Sequence, residues 1–282
     1  MGHTLKKNLL AIIVALATSA TLFASGAAET ATPAKNSDGL TVLKVGATPL
    51  PHSAMLELVK DDLKAEGVDL EVVEFTDYVT PNEALASGEL DANYFQHLPY
   101  MESYNKNHGT TLTSAGGIHI EPLALYSQKY QSLDALPSDS HIAIPNDPTN
   151  EGRALLLLQS AGLITLNDDA SLESTPFDIK DNPKNIIFDE IEAASLPRVL
   201  SDVAGAVING NYAIPAGLIA TRDGLYIEGA DSPYVNIIAV QKGNENNDAI
   251  VKLVKALHSQ KVKDWVAEQY PNGEVVLVSD QK

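Results

Sequence analysis

Three stretches of the chain gather side chains that could do chemistry. The first runs His141-Ile-Ala-Ile-Pro-Asn-Asp-Pro-Thr-Asn-Glu-Gly-Arg153. It reads as a strand end, a turn built on Asn146, Asp147 and Pro148, and a helix starting near Thr149 or Asn150. A helix start presents unpaired N–H groups and a partial positive charge, and together these hold anions. Arg153, on the next turn, adds a planar fork able to grip a carboxylate in two places. The combination makes a seat for an α-carboxylate. An ordinary N-cap with a solvated arginine fits the same letters.

The second stretch is Asn93-Tyr-Phe-Gln-His-Leu-Pro-Tyr100, with Tyr78 upstream in Asp77-Tyr-Val-Thr-Pro-Asn-Glu83. Phe95 and His97 share one side of a strand exit, and Tyr100 follows on the first helical turn. Rings so grouped suit a thioether, because polarisable sulfur favours ring edges by roughly 0.3–1.5 kcal/mol per contact. Each of these aromatics serves equally well as core filling. The third set is two asparagines, Asn209 after Ala206-Val-Ile and Asn236 within Tyr234-Val-Asn-Ile-Ile. A carboxamide can accept from an ammonium and donate to a carboxylate, so it suits a zwitterion. Either is as readily a turn or strand-end asparagine.

The sequence carries no GxSxG, no Walker loop, no GxGxxG and, with zero cysteines, no thiol nucleophile or disulfide. His52, His97, His108, His119, His141 and His258 show no HExxH or other close metal-ligand spacing. The expectation is a binding protein and not an enzyme, with no catalytic residue, no metal and no cofactor. The net charge of −18 repels phosphate backbones and argues against nucleic acid as a partner. The acids are scattered along the chain, and this pattern reads as solubility.

These residues must be positioned by a framework, and 282 residues suffice for one large domain or two ordinary ones. Residues 1–25 read as a secretory signal: Lys6 and Lys7, an apolar run from Leu9 to Ala17, then Ala24 and Ser25. Residues 26–39, rich in Ala, Thr, Ser and Pro, read as a flexible tether. From Leu40 onward strand-like and helix-like patterns alternate. Strands are expected at 40–46, 68–72, 91–95, 118–126, 141–144, 186–188, 206–208 and 234–240. Helices are expected on Met55, Val59 and Leu63, over 81–87, after Pro99, and over 153–160, 250–257 and 262–270. Such alternation favours an α/β fold with mostly parallel sheets flanked by helices. Ligands in open α/β sheets bind beyond the strands' C-terminal ends, where the polar stretches above fall.

At these residues the sequence resembles the NlpA lipoprotein family, the methionine-binding lipoproteins of ABC importers, with the type 2 periplasmic-binding-protein fold. The resemblance spans nearly the whole body. It rests on Asp77-Tyr-Val-Thr-Pro-Asn-Glu-Ala-Leu85, Asp91-Ala-Asn-Tyr-Phe-Gln-His-Leu-Pro-Tyr100, Pro145-Asn-Asp-Pro-Thr-Asn-Glu-Gly-Arg153, Asp181-Asn-Pro-Lys-Asn185 and Asp231-Ser-Pro-Tyr-Val-Asn236. It implies two lobes, 40–124 with 237–282 and 125–236, with a ligand cleft between them. It further implies an exported monomer that binds L-methionine and hands it to a membrane permease. Tyr78, Phe95, His97 and Tyr100 would hold the side chain and Arg153 the carboxylate. Asn150, Asn209 and Asn236 would fix the backbone groups. The family carries an acylated cysteine where the signal ends, the membrane's one point of attachment. Here Leu22-Phe-Ala-Ser-Gly-Ala27 has none, so acylation cannot occur on this sequence. The same fold holding another amino acid or a short peptide is the alternative. An enzyme pairing His97 with a carboxylate is the more distant one.

Overall fold

The computed structural model describes residues 35–229 and 232–279. The expected signal, 1–25, and the tether up to residue 34 lie outside the described residues. Thirteen strands are present among the described residues. They are β1 (Thr41–Ala47), β2 (Val68–Glu74), β3 (Ala92–His97), β4 (Leu112–Ile120), β5 (Ala124–Tyr126), β6 (His141–Pro145), β7 (Thr165–Leu166), β8 (Ile179–Asp181), β9 (Ile187–Ile191), β10 (Gly205–Ile208), β11 (Gly224–Ile227), β12 (Asn236–Gln241) and β13 (Val276–Leu277). They form a six-stranded sheet in the order β13-β4-β12-β3-β1-β2, a five-stranded sheet in the order β11-β5-β10-β6-β9, and a small β7-β8 pair.

Each large sheet has its own apolar core. Helix Ala54–Ala65 places Met55, Val59 and Leu63 against Leu43 and Val45 of β1, and helix Asp248–Leu257 adds Ile250, Leu253 and Leu257. These spacings put one apolar face on each helix. Gly67, at φ +86°, lets the chain turn out of the first helix directly into β2, a conformation that a side chain disfavours. In the second sheet, Leu155 and Leu158 of helix Pro148–Ser160 pack on Ile142, Ile144, Leu125 and Val207. Gly152 brings that helix against the backbone of residue 172, because a Cβ there would lie 2.3 Å from the Leu172 carbonyl oxygen.

Two expectations change. The sheets are mixed rather than mostly parallel: β2, β1 and β3 run parallel, as do β9, β6 and β10, but β12, β4, β13, β5 and β11 pair antiparallel. Alternation of helix and strand signals a crossover only where each helix returns the chain to the same sheet. Here the chain leaves the first sheet after β4 and comes back after β11. The single strand expected over 118–126 is also two strands in different sheets, β4 and β5. Pro122 sits at the break, where it can donate no ladder hydrogen bond. The chain returns to the first sheet between Ile227, the end of β11, and Asn236, the start of β12.

Candidate functional site

The eight side chains singled out from sequence line one cavity: Tyr78, Phe95, His97, Tyr100, Asn150, Arg153, Asn209 and Asn236, joined by Gln96, Glu121, Gly210 and Asn211. The non-atom space between these side chains, open solvent at its mouth included, is about 340 Å³. Phe95 and His97 close β3, Tyr78 follows β2, and Tyr100 opens helix Leu98–His108. Asn150 and Arg153 follow β6, and Asn209 follows β10. All seven stand at or beyond the C-terminal ends of parallel strands, whereas Asn236 begins the antiparallel β12 and so reaches the same end from the opposite direction.

One end of the cavity is aromatic. The Tyr78, Phe95 and Tyr100 rings form a triangle with centroids 6.0 Å apart on each side. Tyr212 lies 5.0 Å from Tyr78, and Tyr100 donates its hydroxyl to the Tyr78 carbonyl at 2.7 Å. Tyr78 in turn donates to Oδ1 of Asn211, which follows β10 in the other sheet. Burial pushes the Tyr78 and Tyr100 hydroxyls well above the usual phenol range, so they stay protonated donors.

His97 joins the aromatic end to the polar one. It caps helix Leu98–His108, its Nδ1 accepting from the Tyr100 N–H at 3.1 Å. The proton must then sit on Nε2, which donates to Oδ1 of Asn150 at 3.2 Å. Burial, and next the Arg153 charge, lower its pKa to about 3. His97 is therefore a neutral hydrogen-bonding group with no direct carboxylate partner among the described residues, unlike an acid–base pair.

The polar end departs from the sequence reading. The start of helix Pro148–Ser160 offers no open anion seat, because the Asp147 carboxylate already caps it. That carboxylate accepts from the Asn150 N–H at 3.1 Å and from Asn150 Nδ2 at 2.8 Å. Arg153 is buried, not solvated, and its fork is already engaged. Nε donates to Glu228 Oε1 at 2.9 Å, and Nη2 donates to Glu228 Oε2 and, at 3.0 Å, to the Glu121 carbonyl. The guanidinium also lies 4.2 Å over the Tyr234 ring. Among the described residues only Nη1 lacks a partner, so a two-point grip through the Nε edge is closed while Glu228 holds it.

Asn209 donates Nδ2 to Asn150 Oδ1 at 2.7 Å, and its own buried Oδ1 has no partner among the described residues; neither has Nδ2 of Asn211. Asn236 Oδ1 accepts from Nε2 of His52 at 3.1 Å. Behind it lies a cluster that the sequence did not reveal. His52, His119 and Glu121, distant in the chain, bring one ligand-type atom each within 4.8 Å of one another, all buried. Glu121 Oε1 is 2.8 Å from His119 Nε2 and 3.4 Å from His52 Nε2. Burial lowers His52 to about 4 despite the Glu121 charge, lowers His119 to about 3, and raises Glu121 above the usual carboxylate range. One signal could have found Glu121: it stands two residues after His119 at a strand exit, so alternation puts both on one face. Glu228 and Tyr234 had no such mark. They reach Arg153 only because the second crossing passes beside it.

The comparisons with known proteins follow the same lines. The profile of the NlpA lipoprotein family matches residues 43–278. The membrane lipoprotein TpN32 of Treponema pallidum is 45% identical over 231 residues, 82% of this chain and 86% of that one. The D-methionine-binding lipoprotein MetQ of Salmonella typhi is 44% identical over 236 residues, 83% of this chain and 87% of that one. The solved structure of a nutrient-binding protein from Burkholderia cenocepacia bound to methionine superimposes with a TM-score of 0.82. It shares 46% identity and covers 84% of this chain and all of its own. With nearly the whole folded body matched, this chain belongs to the NlpA lipoprotein family.

Proposed function

We propose that this chain is the extracytoplasmic substrate-binding protein of an ABC importer, holding L-methionine between two lobes and delivering it to a membrane permease. The observation that carries this reading is the cavity itself. Three rings at one end match a thioether, and a guanidinium with four asparagines at the other matches a zwitterion. The methionine-bound relative and the MetQ relatives support it. The lobes of this reading are 40–124 with 237–282 and 125–236, with the chain crossing near Pro122 and again before Asn236. Tyr78, Phe95, His97 and Tyr100 enclose the side chain, Nη1 of Arg153 meets the carboxylate, and Asn150, Asn209 and Asn236 hold the backbone groups.

Ligand contacts drawn from both sheets favour the closed arrangement over the open one by the difference in affinity, and the closed form is what the permease receives. Affinity comes largely from burying the side chain, since a buried ion pair spends much of its attraction on desolvation. No turnover is expected, because His97 is held neutral by burial and spends both nitrogens on positioning. The protein is exported and monomeric. Among the described residues no helix is long and apolar enough to cross a membrane. Attachment would need a lipid-bearing cysteine, which this sequence lacks.

Mass spectrometry of small molecules released on denaturing the purified protein, followed by calorimetry against amino acids and short peptides, tests the assignment. Methionine should be recovered intact and bind best, with the D- and L-forms compared directly. Norleucine, which exchanges sulfur for a methylene, should compete within about 200-fold. Tighter binding of a peptide or of an unrelated amino acid would replace the ligand, and chemical change of the bound molecule would replace the class.

A further inference from the structure

Resting on the reading of the cavity as a methionine site, we infer that Glu121 receives the ligand's α-ammonium together with Oδ1 of Asn209, and that His52 and His119 hold Glu121 in place for it. Glu121 lines the cavity although only 5% of its surface is exposed. Its Oε1 faces two imidazoles. His52 Nε2 also faces an acceptor, Asn236 Oδ1, so the proton is on Nε2, and Nδ1 accepts from the Thr48 hydroxyl at 2.8 Å. His119 Nε2 donates to Oε1 at 2.8 Å while its Nδ1 accepts from the Tyr94 hydroxyl. His119 thus gives its N–H to Oε1, while His52, whose N–H goes to Asn236, lies 3.4 Å from the same oxygen; each ring is fixed by a hydroxyl behind it. The other oxygen, Oε2, lies against Gly210, where a Cβ would come within 2.6 Å of it.

Arg153 is matched by Glu228, so that pair is locally neutral. Burial raises the Glu121 carboxyl above its usual range, and with both histidines uncharged a cationic group in the cavity is what would hold it ionised. Beside it, next to Gly210 in the chain, Asn209 carries a buried acceptor oxygen with no partner among the described residues. A carboxylate and an orphan carbonyl oxygen are what a three-donor ammonium requires, and neither suits a ligand carboxylate. The ligand's carboxylate is then left to the donors on the wall, Arg153 Nη1, Asn211 Nδ2 and Asn236 Nδ2. The same His52–His119–Glu121 trio has the composition of a metal site. A cation there would need both imidazoles to change tautomer and both hydroxyls to turn, breaking a network in which each donor already meets an acceptor.

Calorimetry with methionine and with 4-(methylthio)butanoate, its counterpart without the amino group, tests this on the wild-type chain and on Glu121→Gln. The wild type should prefer methionine by about 10- to 100-fold, the factor expected of a hydrogen bond to a charged group. Glu121→Gln should bind the amino-free ligand about as well as before and lose most of the preference. Equal weakening of both ligands, with the preference intact, would make Glu121 merely structural and overturn the inference while leaving the methionine site standing. Failure of the wild type to bind methionine would overturn both. Should Glu121→Gln not fold, a crystal structure of the wild type with methionine decides. The ammonium nitrogen should lie about 2.7–3.2 Å from a Glu121 oxygen, and an ammonium turned elsewhere rejects the role.

Discussion

At the aromatic end of the cavity, Tyr78, Phe95 and Tyr100 come from one short span of the chain and one sheet and pack on one another, with Tyr212 and Asn211 meeting Tyr78 from the other side. At the polar end, Arg153, Glu121, Glu228, Asn209 and Asn236 come from both sheets and both crossings, and nearly every contact joins residues far apart in sequence. The aromatic end is a local surface that apolar burial can assemble. The polar end is a long-range network in which each group depends on a partner delivered by another element, and a buried polar group left without its partner is costly. Damage should therefore spread at the polar end and stay contained at the aromatic one.

The largest effect is expected from Arg153→Ala, which strips Glu228 of its cation and empties the space over Tyr234. Methionine affinity measured by calorimetry should fall by about 3–5 kcal/mol, the range for breaking a buried pair. Unchanged affinity would remove Arg153 from the site. Acid acts on a different quantity, the stability of the fold, through the imidazoles of the polar end and through His97, which joins the two ends. His52, His97 and His119 have folded-state pKa values lowered to about 4, 3 and 3, so below the unfolded value of 6.5 the unfolded chain binds more protons. Stability is then complete above pH 6.5 and falls as the pH drops from there toward 4, by up to about 1.4 kcal/mol per pH unit for each histidine. Glu121, raised by burial, titrates in the opposite sense and offsets part of this loss. Melting temperatures flat between pH 7 and 5 would contradict neutral buried rings.

A smaller effect is expected at Gly210→Ala. The added Cβ would lie 2.6 Å from both Cβ and Oε2 of Glu121, an overpacking worth about 1–3 kcal/mol by chemical denaturation. Tyr78→Phe should do least. It deletes one hydroxyl donor to Asn211 and keeps the ring, so about 0.5–1.5 kcal/mol is at stake. If Tyr78→Phe cost more than Arg153→Ala, the contrast between the two ends would be reversed.

The same contrast explains what could be read from the chain. His97 and Pro99 signal a strand end and a helix start within a few residues, and the cap forms as the local chemistry dictates. The apolar spacing of Met55, Val59 and Leu63 likewise needs no distant information. Asp147 shows the limit. Its helix start was legible, but whether that start would hold an outside anion depended on which carboxylate reached it first, and its own N-cap did. Strand direction was illegible for a similar reason: β4 and β5 differ only in which sheet accepts them.

What the sequence determined by itself was the set of elements and the residues standing at their ends, because periodicity, caps and turns act over a few residues. Which of those ends meet was decided only by the tertiary structure. Glu228 on Arg153, and His52 and His119 on Glu121, are matches between groups brought together by the two crossings. Electrostatic and hydrogen-bond partners are chosen by distance in space, and no local pattern in the chain encodes that distance.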